Sequence, residues 1–187
     1  GEIKTADELR VGIPQSNSTL VTLAEQFLDA CPTNPAPKDD GFALAKWQDD
    51  AKERLRNAIE LKELSAATAE KISESTADGV RIATYSLKTG EWSVPAVVIE
   101  PERTAETTTV LLGDKGKASL IDTAAKLIES GSRVVAIDLF QQGECRLGGD
   151  NHYQYGAMVE TAGERTLGQN VAQLGSAVEW ARAELKS

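Results

Sequence analysis

The chain has 187 residues, with 20 Lys and Arg against 29 Asp and Glu, so its formal charge is −9. Apolar residues make up 41% of it, enough for one folded domain to bury a core without metals or disulfides. The acidic balance argues against binding of nucleic acid or of an anionic membrane surface. The only histidine, His152, excludes a metal site built from several histidines of one chain.

The two cysteines and the start of the chain give weaker signals. Cys31 and Cys145 form no C-x-x-C pair, so no structural zinc site is expected; free, buried thiols are favoured, although spacing alone leaves a disulfide open. No stretch approaches the ~18 consecutive apolar residues of a membrane span. The chain begins without Met and without a signal-peptide core, which is typical of a processed or engineered start and leaves export open.

Residues 1–70 are predicted to form an N-terminal arm and a helical extension. Residues 1–18 are mostly polar and are interpreted as the arm. Apolar side chains recur at helical spacing over residues 19–30 and 42–64, and three prolines separate the two helices. The second helix is expected to bury one face, formed by Leu44, Trp47, Ala51, Leu55, Ala58, Ile59 and Lys62.

After Gly79 the spacing changes to the alternation typical of strands. Residues 80–87 and 92–99 are predicted to pair as an antiparallel hairpin joined by a tight turn. Residues 107–112 and 134–140 are predicted as two further strands, and their continuous apolar runs suggest burial on both faces.

A helix is predicted between the last two strands. Ser119 and Asp122 have the spacing of a capping box, and apolar periodicity continues over residues 120–128 until Gly131. A strand, a helix and a strand within about 30 residues predict a parallel, right-handed βαβ unit.

The rest of the chain is predicted to be a loop and a final helix. Residues 141–163 are polar and are interpreted as a long loop. Apolar side chains then step by four and three, the most regular helical spacing in the sequence. The side chains expected to pack on the sheet are Leu167, Val171, Leu174, Val178, Ala181 and Leu185.

Three segments resemble the opening half of an α/β-hydrolase. Residues 93–101 (SVPAVVIEP) resemble a strand of acetyl xylan esterases and related carboxylesterases, and residues 110–117 (VLLGDKGK) resemble the third strand and its oxyanion loop. Residues 131–144 (GSRVVAIDLFQQGE) resemble the G-x-V-V-x-x-D-x-R-G-x-G-E segment, with Gln for the usual Gly and no preceding Arg. The resemblance covers roughly residues 75–187, while residues 1–70 resemble only the helical extension that some such esterases carry.

This resemblance implies an α/β fold, a partial hydrolase sheet with an antiparallel hairpin and a parallel βαβα unit, over residues 71–187. The implied parent reaction is ester hydrolysis by a Ser nucleophile, a His base and an Asp, with no metal and no organic cofactor. The family's nucleophile elbow, G-x-S-x-G, follows the helix that ends this chain and is absent from the sequence. The chain alone is therefore expected to lack catalytic residues and activity, and to meet an ester substrate only if a C-terminal half completes it.

The resemblance points to four residues of an oxyanion loop, Gly113, Asp114, Lys115 and Gly116. They follow a strand end, where backbone N–H groups could stabilise an oxyanion. The alternative is a glycine-rich turn that leads into a helix, and it is favoured here because the chain lacks a nucleophile and a second donor. Asp138 also ends a strand, but without a G-x-G-x-x-G fingerprint it is a weak candidate for a ribose ligand.

His152 and Cys145 are the remaining candidates for chemistry. His152 does not match the family's His, which follows the elbow, so a loop histidine without a catalytic role is expected. Cys145 lies between Glu144 and Arg146, and a nearby cation would lower the pKa of its thiol. A Cys145–His152 dyad is a remote alternative.

Two other functions remain open: a non-catalytic binding or scaffold module that retains half a hydrolase sheet, and a nucleotide-binding Rossmann-like domain. In the hydrolase order the nucleophile strand would lie beside residues 107–112, so these residues are expected to form a sheet edge. An apolar edge strand without charges tends to pair with a strand of another chain, and a homodimer through this edge is the expected arrangement.

Overall fold

A computed structural model describes residues 3–12, 17–38, 41–62, 65–148 and 151–185. The chain divides into two compact units, Gly1–Gln48 and Asp49–Ser187, whose boundary falls within a helix. The division into residues 1–70 and 71–187 therefore stays a prediction. No helix in the described ranges combines the length and apolar character needed to cross a bilayer.

The N-terminal helices are α1 (Leu20–Ala30) and α2 (Gly41–Ala58), close to the predicted segments. Thr19 caps α1, since its Oγ1 accepts the Thr22 N–H at 3.1 Å while the Thr19 N–H donates to the Thr22 hydroxyl. The predicted buried face of α2 is wrong, because neither helix contains a buried residue and Leu55 is 59% exposed.

The second unit contains a five-stranded sheet in the order β1-β2-β3-β5-β4. The strands are β1 (Thr68–Ala77), β2 (Val80–Thr89), β3 (Trp92–Pro101), β4 (Thr107–Leu111) and β5 (Ser132–Ile137). The pairs β1–β2, β2–β3 and β3–β5 are antiparallel, and β4–β5 is parallel. The predicted α/β class, the hairpin and the edge position of β4 are confirmed.

β1 was not predicted, and its composition explains why. Every residue of the strand is exposed, and its one large apolar side chain, Ile72, is 62% exposed. The register shifts between Lys71 and Ser73, so even the spacing of side chains is interrupted. This strand is stabilised by backbone hydrogen bonds to β2, and backbone pairing alone does not produce an alternation of apolar and polar side chains in the sequence.

The core lies on both faces of β5, in which every residue is buried. Val135 and Ile137 face the larger cluster, which includes Leu87, Val94 and Trp180. Val134 and Ala136 face a smaller cluster formed with α3 (Ile121–Glu129). The continuous apolar run of β5 is thus the signature of a strand covered on both sides.

The final helix, α5 (Thr166–Glu184), has the predicted period but a different buried face. Leu167 is 58% exposed, while Leu174 is only partly buried against the core. The buried residues are Gly168, Gln169, Gln173, Ser176, Ala177, Trp180 and Ala181. This face is rotated by about one residue from the predicted one, because buried glutamines and a large Trp occupy positions that apolarity alone does not reveal.

Three local predictions are wrong. Ser119 does not cap α3; its hydroxyl donates to the Gly116 carbonyl at 2.7 Å, within a 3₁₀ turn at Lys117–Leu120. The predicted loop over residues 141–163 contains a helix, α4 (Asn151–Thr161). Leu112 is 41% exposed rather than buried on both faces, because it lies beyond the end of an edge strand.

Candidate functional site

The candidate site lies where the carboxyl ends of β4 and β5 meet at one edge of the sheet. Two glycines with positive φ, Gly116 at 84° and Gly143 at 48°, bring the loops after these strands together. A Cβ on Gly116 would clash with the Cα of Gly143, and a Cβ on Gly143 would clash with the Asp138 carboxylate. Only glycine therefore allows this close approach.

The Asp138 carboxylate joins the two loops and is 1% exposed. Its Oδ1 accepts the backbone N–H of Lys117 at 2.6 Å. Its Oδ2 accepts the Lys117 Nζ at 2.7 Å and the backbone N–H of Glu144 at 2.9 Å. Lys117 also forms an ion pair with Glu144, so the cation bridges both loops.

These contacts keep both members of the buried pair charged. Burial alone would raise the pKa of the Asp138 carboxyl, but hydrogen bonds from Glu144 and Lys117 outweigh it and hold the pKa below its usual value. Burial would likewise lower the pKa of the Lys117 ammonium, but hydrogen bonds to Asp138 and Glu144 raise it above its usual value. The Lys117–Asp138 ion pair, called the clamp, therefore joins the two loops through opposite charges at neutral pH.

The loop of residues 113–116, named the glycine loop below, offers fewer N–H donors than its sequence suggests. The Gly116 N–H donates to the Gly113 carbonyl at 2.8 Å and is not available to a ligand. The N–H groups of Asp114 and Lys115 make no hydrogen bond to any described residue, and both residues are exposed. The tip of the loop is therefore the part that could receive an oxyanion.

Cys145 lies beside the clamp, but its thiol is not activated. Both cysteines are free, as predicted, but the predicted burial is wrong for Cys31, which is exposed, while Cys145 is half-buried. The Cys145 thiol donates to the Asp138 carbonyl at 3.5 Å. Burial, followed by the charge of Asp138, raises the pKa of this thiol; the Lys117 ammonium acts in the opposite direction, as a nearby cation is expected to, but is outweighed.

His152 lies in the first turn of α4, and its side chain is outside the described residues. A Cys145–His152 dyad therefore stays a prediction. Within the described ranges, no group of three or more His, Cys, Asp or Glu side chains could hold a metal ion.

Lys117 was missed by the sequence analysis, although a signal for it exists. Asp138 ends a strand that is apolar along almost its whole length, so its carboxylate must be buried and needs a cation. Lys117 follows the adjacent parallel strand, whose carboxyl end shares the same sheet edge. Pairing the two required only the βαβ topology that the sequence already predicted.

No protein-family model and no curated protein matches the chain. Among solved structures, it aligns with a candidate acetyl xylan esterase from Bacteroides fragilis NCTC 9343 at a TM-score of 0.74 and 13% identity, over 92% of this chain and 53% of that one. The fold is esterase-like. At this identity the likeness is one of fold, and the chain spans about half the length of that protein.

Two further structures are similar to smaller parts of the chain. A cold-adapted esterase from an Arctic intertidal metagenomic library aligns at a TM-score of 0.47 and 24% identity, over 60% of this chain and 49% of that one. An acetyl xylan esterase from Paenibacillus sp. R4 aligns at a TM-score of 0.33 and 17% identity, over 64% and 37% of the two chains.

Proposed function

We propose that this chain forms the N-terminal half of a serine ester hydrolase domain that acts on acetylated carbohydrate, and that the chain alone is inactive. The observation that carries the proposal is β4, an edge strand whose carboxyl end leads into the glycine loop. In an α/β-hydrolase the nucleophile strand would pair with this edge and place its serine next to that loop.

In the complete reaction the serine attacks the ester carbonyl carbon, and the carbonyl oxygen becomes an oxyanion. The N–H groups of Asp114 and Lys115 are the donors in this chain that could stabilise it, because they are unpaired among the described residues and belong to exposed residues. The Lys117–Asp138 pair positions the loop and touches no substrate. The serine, the base and the N–H donor that follows the serine would come from residues outside these 187.

The natural coding sequence downstream of the Ser187 codon tests this proposal. We expect an in-frame continuation that contains G-x-S-x-G directly after the next strand. The extended chain should hydrolyse p-nitrophenyl acetate, and replacing the elbow Ser by Ala should abolish turnover. A stop codon directly after Ser187, or serine-dependent turnover by the 187-residue chain itself, would overturn the proposal.

The buried charges favour one alternative, a non-catalytic binding or scaffold module. Lys117 and Asp138 satisfy each other, so the clamp presents no unpaired charge to a substrate. In this alternative the clamp only holds the two loops together. An in-frame stop after Ser187 together with an inactive, folded chain would favour it.

A further inference from the structure

An open apolar groove runs along one side of α3, on the face of the sheet opposite α5. Its volume is about 610 Å³. The floor consists of apolar side chains of β2 and β3 that face solvent on this side: Val80, Ile82, Val97 and Ile99. Ile82 is 37% exposed, and the other three are half-buried. A contiguous apolar surface that is open to solvent is typical of an interaction site.

The wall of the groove is a stripe of apolar side chains on α3. Ile121, Ala125 and Ile128 stand at positions i, i+4 and i+7, the spacing of one helix face. The neighbouring stripe, Ala124 and Leu127, packs with β5 in the smaller core cluster. Ile121 is 69% exposed, so the apolar arc of α3 is wider than the part that the sheet covers.

The groove does not lie where the proposed C-terminal half would add to the sheet. That half would extend the sheet from the edge strand β4, whereas the groove lies over β2 and β3. Helix α3, which packs on β5, stands between the two places. A strand added at β4 would therefore leave the groove open, and an inference about the groove does not depend on the proposed ester hydrolysis.

The dimensions of the groove suit one α-helix. Strands β1, β2 and β3 lie on the open side of α3, and a spacing of about 4.8 Å between neighbours gives about 10 Å from β1 to β3. Packed helices lie about 8–10 Å apart, so one helix fits beside α3. The nine residues of α3, at a rise of about 1.5 Å each, make the groove about 14 Å long. An occupant would thus bury an apolar face of two to three turns.

The charge of the lining favours a basic occupant. Asp78 and Glu129 lie at one end of the groove, and Glu144 and Lys117 lie at the other, so three carboxylates stand against one ammonium. That ammonium is already paired within the clamp. Arg103 contacts Glu129, but its guanidinium donates to the backbone carbonyl at 2.9 Å and not to the carboxylate. Both ends of the groove therefore favour positive charge on the occupant.

We propose that this groove binds a basic amphipathic helix of a partner protein. Apolar side chains of the partner, spaced at i, i+3, i+4 and i+7, pack between Ile121 and Ile82, and Lys or Arg side chains near the helix ends meet Asp78 and Glu129. Helix α1 of this chain is amphipathic but lacks the required charge, because its only charged side chains are Glu25 and Asp29. Helix α2 mixes both charges.

The probe is a labelled synthetic peptide of about 14 residues, built from Leu, Ala and Lys, with Leu on one helix face and Lys near both ends. Fluorescence anisotropy with the full 187-residue chain should show saturable binding. A scrambled peptide of the same composition has the same charge but no apolar face, and should bind at least about tenfold more weakly. Equal binding of the two peptides would mean that only the charge of −9 attracts them, and would overturn the proposal.

Two matched variants locate the binding site. Ile121→Gln removes an exposed apolar side chain of the groove and should weaken binding of the amphipathic peptide by about tenfold, as expected when an apolar contact is lost. Leu167→Gln is the control, because Leu167 is 58% exposed on α5, which packs on the opposite face of the sheet. Both positions are exposed, so circular dichroism should show that both variants fold. Equal affinities of the two variants would place the peptide elsewhere and overturn the proposal.

The charge requirement has its own pair of variants. Glu129→Gln should weaken binding of the amphipathic peptide and reduce its dependence on salt, since one carboxylate of the groove is lost. Glu179→Gln removes the same charge from an exposed position of α5 and should have less effect on both. A peptide of residues 18–31, which contains α1, should not compete with the basic peptide. Competition by this peptide would assign the groove to a helix of this chain or of a second copy, and would overturn the proposal.

Discussion

Asp138 directly follows the fully buried strand β5, and a carboxylate there is tolerated only because Lys117 and two backbone N–H groups face it. We predict that Asp138→Asn lowers the free energy of unfolding by up to about 3–5 kcal/mol, because the Lys117 ammonium then keeps only the exposed Glu144 carboxylate as its counter-charge. Urea denaturation measures this change. Asp114→Asn, at an exposed position of the adjacent loop, is the control and should change stability by less than about 0.5 kcal/mol. A similar effect of both substitutions would contradict the clamp.

The same pair sets a pH dependence. The folded pKa of Asp138 lies below the usual value of 3.8, so the stability that this carboxylate contributes is present above pH 3.8 and is lost as the pH falls through the folded pKa. The folded pKa of Lys117 lies above 10.5, so its contribution is present below pH 10.5 and is lost as the pH rises through the folded pKa. The stability difference between the unchanged chain and Asp138→Asn should be constant near neutral pH and shrink below pH 3.8. A difference that instead changes between pH 6 and pH 8 would assign the effect to another group.

Gly143 is the residue that allows the two loops to approach. Its φ of 48° and the Asp138 carboxylate next to it leave no room for a Cβ. Gly143→Ala should destabilise the fold by at least about 1–2 kcal/mol, the cost of a left-handed conformation for an L-residue, with the clash in addition. Gly148→Ala is the control, because a Cβ there meets no atom within 4 Å. Equal unfolding midpoints for the two variants would show that the loops relax without strain.

At the scale of elements, α5 anchors one face of the sheet through Trp180, which is 3% exposed and packs on Tyr85 with ring centroids 5.3 Å apart. Trp180→Ala should cost about 3–5 kcal/mol. Leu174→Ala should cost less, since this side chain is only partly buried, and Leu167→Ala should stay within about 0.5 kcal/mol. Chemical denaturation of the three variants gives the order. The reverse order would restore the face that the apolar spacing predicts.

Sequence reasoning predicts best the elements that are buried along their whole length. β5 is covered on both faces, and its unbroken apolar run predicts a buried strand. β1 is exposed along its whole length, so its side chains show no pattern and only the backbone of β2 defines it. In α5 the apolar period identifies the helix. Gln173 is buried nevertheless, because its side-chain oxygen accepts the Phe140 N–H, and the hydropathy of the sequence cannot reveal such a hydrogen bond.

The site was predictable to a similar extent. The sequence predicts a strand directly before residues 113–116, and β4 does end just before them, at Leu111. The hydrogen bond from the Gly116 N–H to the Gly113 carbonyl was not predictable, because it depends on how tightly the turn closes.

At the scale of the whole molecule, the sheet has two edges with different protection. β1 carries charged side chains at Glu70, Lys71 and Glu74, a common way to prevent edges from pairing. β4 has the sequence Thr-Thr-Thr-Val-Leu and carries no charge. One side of β4 pairs with β5, and the other presents backbone N–H and C=O groups to a partner. In the proposed hydrolase this partner is the nucleophile strand; in the isolated chain we propose that it is a second copy.

We predict that the isolated chain forms a dimer by antiparallel pairing of two β4 strands, with a light-scattering mass of twice 20.0 kDa. Each copy carries a charge of −9, so added salt should screen the repulsion and increase the dimer fraction. Thr109 is the central residue of β4, and a register centred on the strand sets its two copies opposite each other. Thr109→Lys should therefore yield monomers, because two ammonium groups would meet across the pair. Thr76→Lys, on β1, should leave the dimer intact. A mass of 20.0 kDa for the unchanged chain at every protein and salt concentration would show that β4 stays unpaired in solution.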